Sequence, residues 1–507
     1  MRPLLLIASL WGVLSSVSAA EKPNLLIITV DDMSADSVGA FGGKLAGATP
    51  SIDKLAASGM AFHRAHVVVG NCMPSRNVMW SGLFPHNNGV EGLYQVPAAR
   101  HPVLPSLLRD AGWFTAIRHK VDHSTPYSPH PGWDATLETT PEGQRADTKQ
   151  PKSYRVSLQQ GVAKAKAAGK PFCLMLNVAD PHKPFHAEGK KGETVPDKNS
   201  PTRVFAPDEI PVPGFLFNDP VPRKELAHYY SSVRRADDGV GEILSALKES
   251  GQEANTIIVF LSDHGMPLPF AKTQLYHHST RTPLIVVWPG VTKAGTVDDA
   301  HMISTVDLMP TLLEMLDLEP PKKLDGRSFT PLLMGERLAD REYVFKEHNE
   351  NAGASRDPMR GVQSKQWLYL FNPWSNGSRV MATATTGTPT YRRMAQLAQT
   401  DPVIAARHRL YQHRVLEELY DVEADPDCLK NLTAAPEHQK ALNEMRAVLE
   451  EHLERSKDPV LNIFRNRDDA AAREAYVRGK EQESDSRGPC KKGAGKRKKA
   501  AAKAAEE

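Results

Sequence analysis

Residues 24–30 read NLLIITV, and the run stops at Asp31-Asp32. A continuous run of apolar, β-favouring residues with no alternation describes a strand covered on both faces. Its ending is different in kind: two adjacent carboxylates repel, so a strand that terminates in them wants a cation or hydrogen-bond donors nearby. Four more runs follow the same plan. Residues 114–117 lead to Lys120, 172–178 (FCLMLNV) to Asp180 and His182, and 256–261 (TIIVFL) to Ser262-Asp263-His264-Gly265; 284–288 (LIVVW) ends at Pro289-Gly290. Helical patterns at 51–58, 103–111 and 226–248 lie between them. This alternation predicts an α/β fold, a mostly parallel sheet flanked by helices. In such sheets sites gather beyond the carboxyl ends of the strands, which is where the polar clusters repeatedly fall.

From residue 340 the pattern changes. Short strand-like pieces at 343–345, 367–371 and 419–422 precede a helical stretch at 438–455. We expect a catalytic domain over 21–339 and a smaller C-terminal α+β subdomain over 340–479. Residues 480–507 hold nine Lys/Arg and five Asp/Glu among Ala and Gly, which predicts a disordered basic tail. At the other end, Arg2, an apolar stretch over 4–17 and Ser18-Ala19-Ala20 read as a signal peptide over 1–20, so the chain is expected to be exported. That stretch is short of the ~20 residues a membrane helix needs, and no later segment is apolar and long enough to span.

The whole chain of 507 residues has room for two or three domains, and its net charge of +3 gives no argument for a nucleic-acid partner. Four cysteines are few for an exported protein of this size. Cys173 lies in an apolar run and is expected in the core; Cys428 and Cys490 could pair, but a disulfide framework is not supported.

The candidate chemistry sits at the strand ends. Asp31, Asp32, Asp263 and His264 together offer hard oxygen ligands and one imidazole for a divalent ion, a set that favours calcium or magnesium over zinc. Taken singly, each pair also fits a solvated turn. Lys120 and His123 follow the second strand, His182 and Lys183 the third, and Lys272 comes eight residues after His264. A lone Lys or His is usually a surface group; here each follows a strand that ends near the same place.

The segment Cys72-Met73-Pro74-Ser75-Arg76, followed by Ser81-Gly82, resembles the C-x-P-S-R signature of the type I, formylglycine-dependent sulfatases of the alkaline-phosphatase superfamily. Further stretches resemble that family in the same order: KPNLLIITVDD from Lys22, TPSIDKLA from Thr49, HKVDH from His119, DPHKPF from Asp180 and SDHG from Ser262, with a closing motif from Glu418 to Leu432. The likeness covers most of residues 22–455. Within the family the chain looks closest to the heparan N-sulfatases, on the stretches from Ser81 to Gln95, Gly265 to Tyr276 and His348 to Val362, and on the Glu418–Asp421 motif. The departures are His119 where a Gly usually precedes the lysine, Lys272 where Arg is usual in the N-sulfatases, and His264 where an Asn is common.

The resemblance implies an alkaline-phosphatase-like fold. It also implies a formylglycine made from Cys72 by a maturation enzyme, and a calcium ion bound by Asp31, Asp32, Asp263 and His264. Arg76 and Lys120 would stabilise the formylglycine hydrate, His123 would help deprotonate it, and His182 and Lys272 would hold the sulfate and protonate the leaving atom. Arg360 and His348 are expected to contact the sugar. The substrate class implied is a sulfated saccharide, with N-sulfoglucosamine first and an O-sulfated glycan second. Two other readings remain open at this point: a phosphodiesterase or phosphonate hydrolase of the same superfamily, and an inactive protein that binds sulfated glycans.

Overall fold

The computed structural model describes residues 22–98, 101–351 and 355–487. The expected signal peptide and Cys490 lie outside them. The strands are β1 (Asn24–Asp31), β2 (Met60–Phe62), β3 (Ala65–His66), β4 (Phe114–Arg118), β5 (Ala135–Thr136), β6 (Phe172–Pro181), β7 (Thr256–Ser262), β8 (Leu284–Val287), β9 (Thr296–Asp298), β10 (Ile303–Ser304), β11 (Val344–Asn351), β12 (Ser355–Gln363), β13 (Trp367–Phe371) and β14 (Glu417–Asp421).

Eight of them form one sheet in the order β5-β4-β6-β1-β7-β8-β2-β9. All neighbours are parallel except β8, which runs antiparallel to both β7 and β2. The expected mostly parallel sheet is therefore present. β1 is central, in register with β6 (Thr29↔Asn177) and with β7 (Val30↔Ser262), so three carboxyl ends lie side by side. Leu26, Ile28 and Val30 pack with the helices Pro50–Ser58, Lys152–Ala167 and Pro220–Glu249. Leu25 and Ile27 pack on the opposite face with Cys72–Ser81, Leu104–Asp110 and Leu308–Met315. Both faces are covered, which explains the unbroken apolar run.

The Pro220–Glu249 helix begins earlier than its apolar period suggests. Asp219 caps it by accepting from the Val221 N–H, and Pro220 stands in its first turn, where proline is tolerated. Lys152–Ala167 was not expected: its sequence is mostly polar, and it packs through Gly161, where a Cβ would sit 2.7 Å from a Leu174 methyl.

The C-terminal part is an antiparallel sheet, β11-β12-β13-β14, covered by the Gln439–Arg455 helix through Leu442, Met445, Leu449 and Leu453. β12 escaped the sequence reading because SRDPMRGVQ is polar and carries a proline. The subdomain is stitched to the segment between β3 and the Cys72 helix: the Glu347 N–H donates to Val68 O at 3.0 Å. The expected tail is corrected at its start. Residues from Lys480 continue a helix, Ala470–Ser486, which buries Val477 and reaches Glu350 through Ser484. Composition hid it because its apolar contacts are few, Val477 with Ala472 and Tyr476, and polar pairs do the rest. Residues after 487 lie outside the described ones. Among the described residues no helix is long and apolar enough to cross a membrane, and Cys72, Cys173 and Cys428 are free thiols, all buried.

Lys346, on β11, is fully enclosed and donates to Leu275 O (3.2 Å) and Gln363 Oε1 (2.6 Å). Burial pushes its ammonium down to about 7, against about 10.4 for a free lysine. Between those values the unfolded chain holds a proton that the folded one has released, so stability rises with pH, by up to about 1.4 kcal/mol per unit. Below pH ~7 both states are protonated and the contribution is flat. We predict that the wild type gains on Lys346→Met as pH goes from 7 to 9 in urea unfolding; a pH-independent difference would refute this.

Candidate active site

Three strand ends and one helix start converge. β1 delivers Asp31, and Asp32 follows with φ of 70°, a left-handed conformation that Asp tolerates better than most residues. After β7, Asp263 Oδ1 accepts the Asp32 N–H at 3.0 Å. Cys72 is the first residue of its helix, where Asn71 Oδ1 accepts the Cys72 N–H at 3.1 Å. Its Sγ lies 3.2 Å from His264 Nε2 and 3.7 Å from Asp31 Oδ1.

Cations surround these acids. Arg76, one helical turn after Cys72, reaches Asp263 Oδ2 from both Nε and a terminal nitrogen at 3.0 Å. Its other terminal nitrogen donates to Thr29 Oγ1 (2.9 Å) and Asn177 Oδ1 (2.6 Å). Asn177 is itself oriented, donating to the carbonyls of Arg118 and His119. Lys120 Nζ lies 2.6 Å from Asp31 Oδ2, and Lys272 Nζ lies 2.7 and 2.8 Å from the two Asp32 oxygens. His182 Nε2 is 4.0 Å from Asp32 Oδ2 while its Nδ1 pairs with Lys183 O at 2.7 Å. Lys149 fixes this arm by donating to His182 O and to Asp180.

The field is correspondingly strong. Burial alone would raise the Asp31 carboxyl, but Lys120, His182 and Arg76 hold it well below the usual range. Burial and the charge of Asp31 push Asp263 up to about 7. Against burial, Asp263, Cys72 and Asp32 lift His264 to about 9. Burial opposes a thiolate at Cys72, yet Lys272 and Lys120 bring the thiol well below its ordinary value. A nucleophile or anion at this position is favoured electrostatically.

The donor set fits a divalent cation. Ligand atoms of Asp31, Asp32, Cys72 and His264 all lie within 4.8 Å of one another. Oxygen ligands of calcium stand about 2.3–2.6 Å from the ion, so a single ion can reach such a group. His264 Nδ1 pairs with Gly265 O at 3.0 Å, leaving Nε2 to face the centre.

Asp31, Asp32, Cys72, Arg76, Lys120, His182, Asp263, His264 and Lys272 thus come together. His123 lies in the turn Val121–His123 after Lys120, where its carbonyl accepts from Asn77 of the Cys72 helix at 3.0 Å. Two expected sugar contacts stand apart from this cluster. Arg360 is buried and bonded to Asp458 at 2.5 and 3.0 Å and to Asn349 Oδ1 at 2.9 Å. His348 is buried with neither ring nitrogen hydrogen-bonded among the described residues, and burial, with Arg356 and Arg360, brings it down to about 3. Thr29, Asn177 and Lys149 were missed. A signal existed for the first two: each is the polar residue interrupting an otherwise apolar central strand.

A family model described as Sulfatase matches residues 23–318, and one described as N-sulphoglucosamine sulphohydrolase, C-terminal, matches residues 263–375. Human N-sulphoglucosamine sulphohydrolase is 30% identical over 484 residues, covering 87% of this chain and 91% of the relative. The chain belongs to the sulfatase family. This sulfatase is also 25% identical to an ulvan-active sulfatase of Formosa agariphila, over 85% of the chain and 75% of the relative. A solved structure described as in complex with its substrate D-glucosamine-2-N,6-O-disulfate shares its fold, with a TM-score of 0.63 at 19% identity over 87% of this chain and 99% of that one. By family the protein is a hydrolase of sulfate esters or sulfamates.

If the acid cluster of this sulfatase holds a cation, adding millimolar calcium or magnesium to metal-stripped protein raises its thermal midpoint, because a ligand that binds only the folded state stabilises it. The Asp32→Asn variant should lose most of that rise. Identical midpoints with and without ion would contradict the assignment.

Proposed function

We propose that this sulfatase releases sulfate from sulfated saccharides, with Cys72 oxidised to formylglycine and calcium held by Asp31, Asp32, Asp263 and His264. The observation that carries the reading is the position of Cys72 Sγ, 3.2 Å from His264 Nε2 and 3.7 Å from Asp31 Oδ1, between two lysines that favour its anion. When present, the ion and the formylglycine would supply a positive field and a nucleophilic oxygen.

This chain's residues do the rest. Arg76 neutralises Asp263 and, being anchored on Thr29 and Asn177, holds its helix start in place. Lys120 and Lys272 sit on opposite carboxylates of the cluster, where each can turn to a sulfate oxygen. His182, partly exposed, with Nδ1 engaged and Nε2 available, is suited to deliver a proton to the leaving atom. His123 is proposed as the base and His348 as a sugar contact. An exported location and a formylglycine-generating partner complete the reading.

Glucosamine N-sulfate is the proposed substrate. It is supported by the likeness to the human sulphohydrolase and by the match over residues 263–375. Lys272 and His119 depart from the N-sulfatase pattern, which keeps an O-sulfated sugar as the second reading. The test uses protein co-produced with a maturation enzyme. A mass spectrum of the Cys72 peptide should show loss of the thiol. Sulfate release across N-sulfoglucosamine, O-sulfated glucosamines and uronates, and an aryl phosphodiester should be greatest for N-sulfoglucosamine. Cys72→Ala should lower kcat/KM by more than about 10³-fold, the scale of losing a nucleophile. Preference for the phosphodiester, or an unmodified thiol in active protein, would overturn the proposal.

A further inference from the structure

The Ala470–Ser486 helix reaches both of the segments that flank the two lysines. On one side, Arg487 pairs with Glu350 and lies over the Tyr94 ring, 3.9 Å from its centroid, and Ser484 Oγ donates to Glu350 Oε2 at 3.0 Å. Glu350 Oε2 also accepts from Arg356 at 3.0 Å, and the same Arg356 nitrogen lies 2.7 Å from Glu91. Gly92 leaves room for this contact, since a Cβ there would sit 3.0 Å from Glu350 Cβ. The loop that starts at Glu91 then bonds to the segment after Lys120: the Val96 N–H donates to Pro126 O (2.9 Å), Gln95 Nε2 to Asp122 O (3.4 Å), and the Ser128 N–H to Gln95 Oε1 (3.2 Å).

On the other side, Glu474 and Glu481 of the helix hold Arg379 at 2.9 and 2.8 Å. The segment after Arg379 docks beside Lys272. The Ala384 N–H donates to Thr273 Oγ1 (3.1 Å), and the Ala382 N–H to the buried Asp357 (3.1 Å). Val477 anchors the helix between the two arms in the main core.

We propose that this helix is a strap: its charged side chains position the 91–98 and 379–384 segments, and through them the rims that carry Lys120 and Lys272, so that it governs how the saccharide part of the substrate is held. The claim rests on the sulfatase reading above. Arg379, Ser484 and Arg487 are positioning residues. Their individual pairs are partly exposed and weak, so their loss is expected to loosen the hold on the saccharide without abolishing turnover.

The test uses Arg379→Ala, Arg487→Ala and the conservative Arg487→Lys in the full chain. Hydrogen exchange should quicken in residues 91–98 for Arg487→Ala and in 379–384 for Arg379→Ala, with exchange in β1 unchanged. KM for a sulfated oligosaccharide should rise about 5- to 10-fold, with kcat for a small aryl sulfate close to wild type, and Arg487→Lys should recover part of the loss. Unchanged exchange in both segments overturns the strap. So does an equal fall on both substrates in step with a lowered thermal midpoint, which would mark the helix as scaffold alone. If the wild type hydrolyses no sulfated compound, the functional reading fails, and the exchange data still decide the strap.

Discussion

Like charge held in a dry place is the constraint from which the rest follows. Asp31, Asp32 and Asp263 are all almost completely buried. Two such charges about 4 Å apart repel by about 4 kcal/mol at an effective dielectric near 20, and each also loses hydration. Arg76, Lys120 and Lys272 answer them, one cation to each carboxylate. The acids come from the ends of β1 and β7, which the ladder holds rigidly in register. The cations come from a helix start and two loops. Rigid anionic ends, a fixed Arg76 and two lysines on loops suit a site that must bind an anion and let it go.

The acidic half of this arrangement was legible in the sequence because strands announce themselves. Unbroken apolar runs located β1, β4, β6, β7 and β8 within a few residues, and polar residues just past the first four are the ones that gather around Cys72. Arg76 and Cys72 were legible only as a motif, since nothing in the periodicity places that helix against β1. The partner of Arg360 was not legible, because Asp458 lies 98 residues away in sequence. The Lys152–Ala167 and Ala470–Ser486 helices were missed for a shared reason. Lys152–Ala167 buries Tyr154 and Leu158 among small and polar residues, and Ala470–Ser486 fully buries only Val477 and Ser484, so in both the amphipathic pattern carries little signal.

Among the described residues the C-terminal sheet gives no ligand atom to the acid cluster. It instead fixes segments that do. β11 bonds Val68 four residues before Cys72, and Lys346 bonds Leu275 three residues after Lys272. The two parts of the chain therefore share one functional unit, although only the first looks catalytic in sequence.

The burial of Cys72 has a consequence in time. Its side chain is 4% exposed, walled by Asp31 and His264 and fixed at a capped helix start. No second protein could close its own catalytic cleft around that sulfur once the fold is complete. If the thiol is to be oxidised by another enzyme, this must happen while the segment around residue 72 is still extended, during synthesis or translocation. Maturation and folding then race one another, and a molecule that folds first is stranded, stable but without its chemistry.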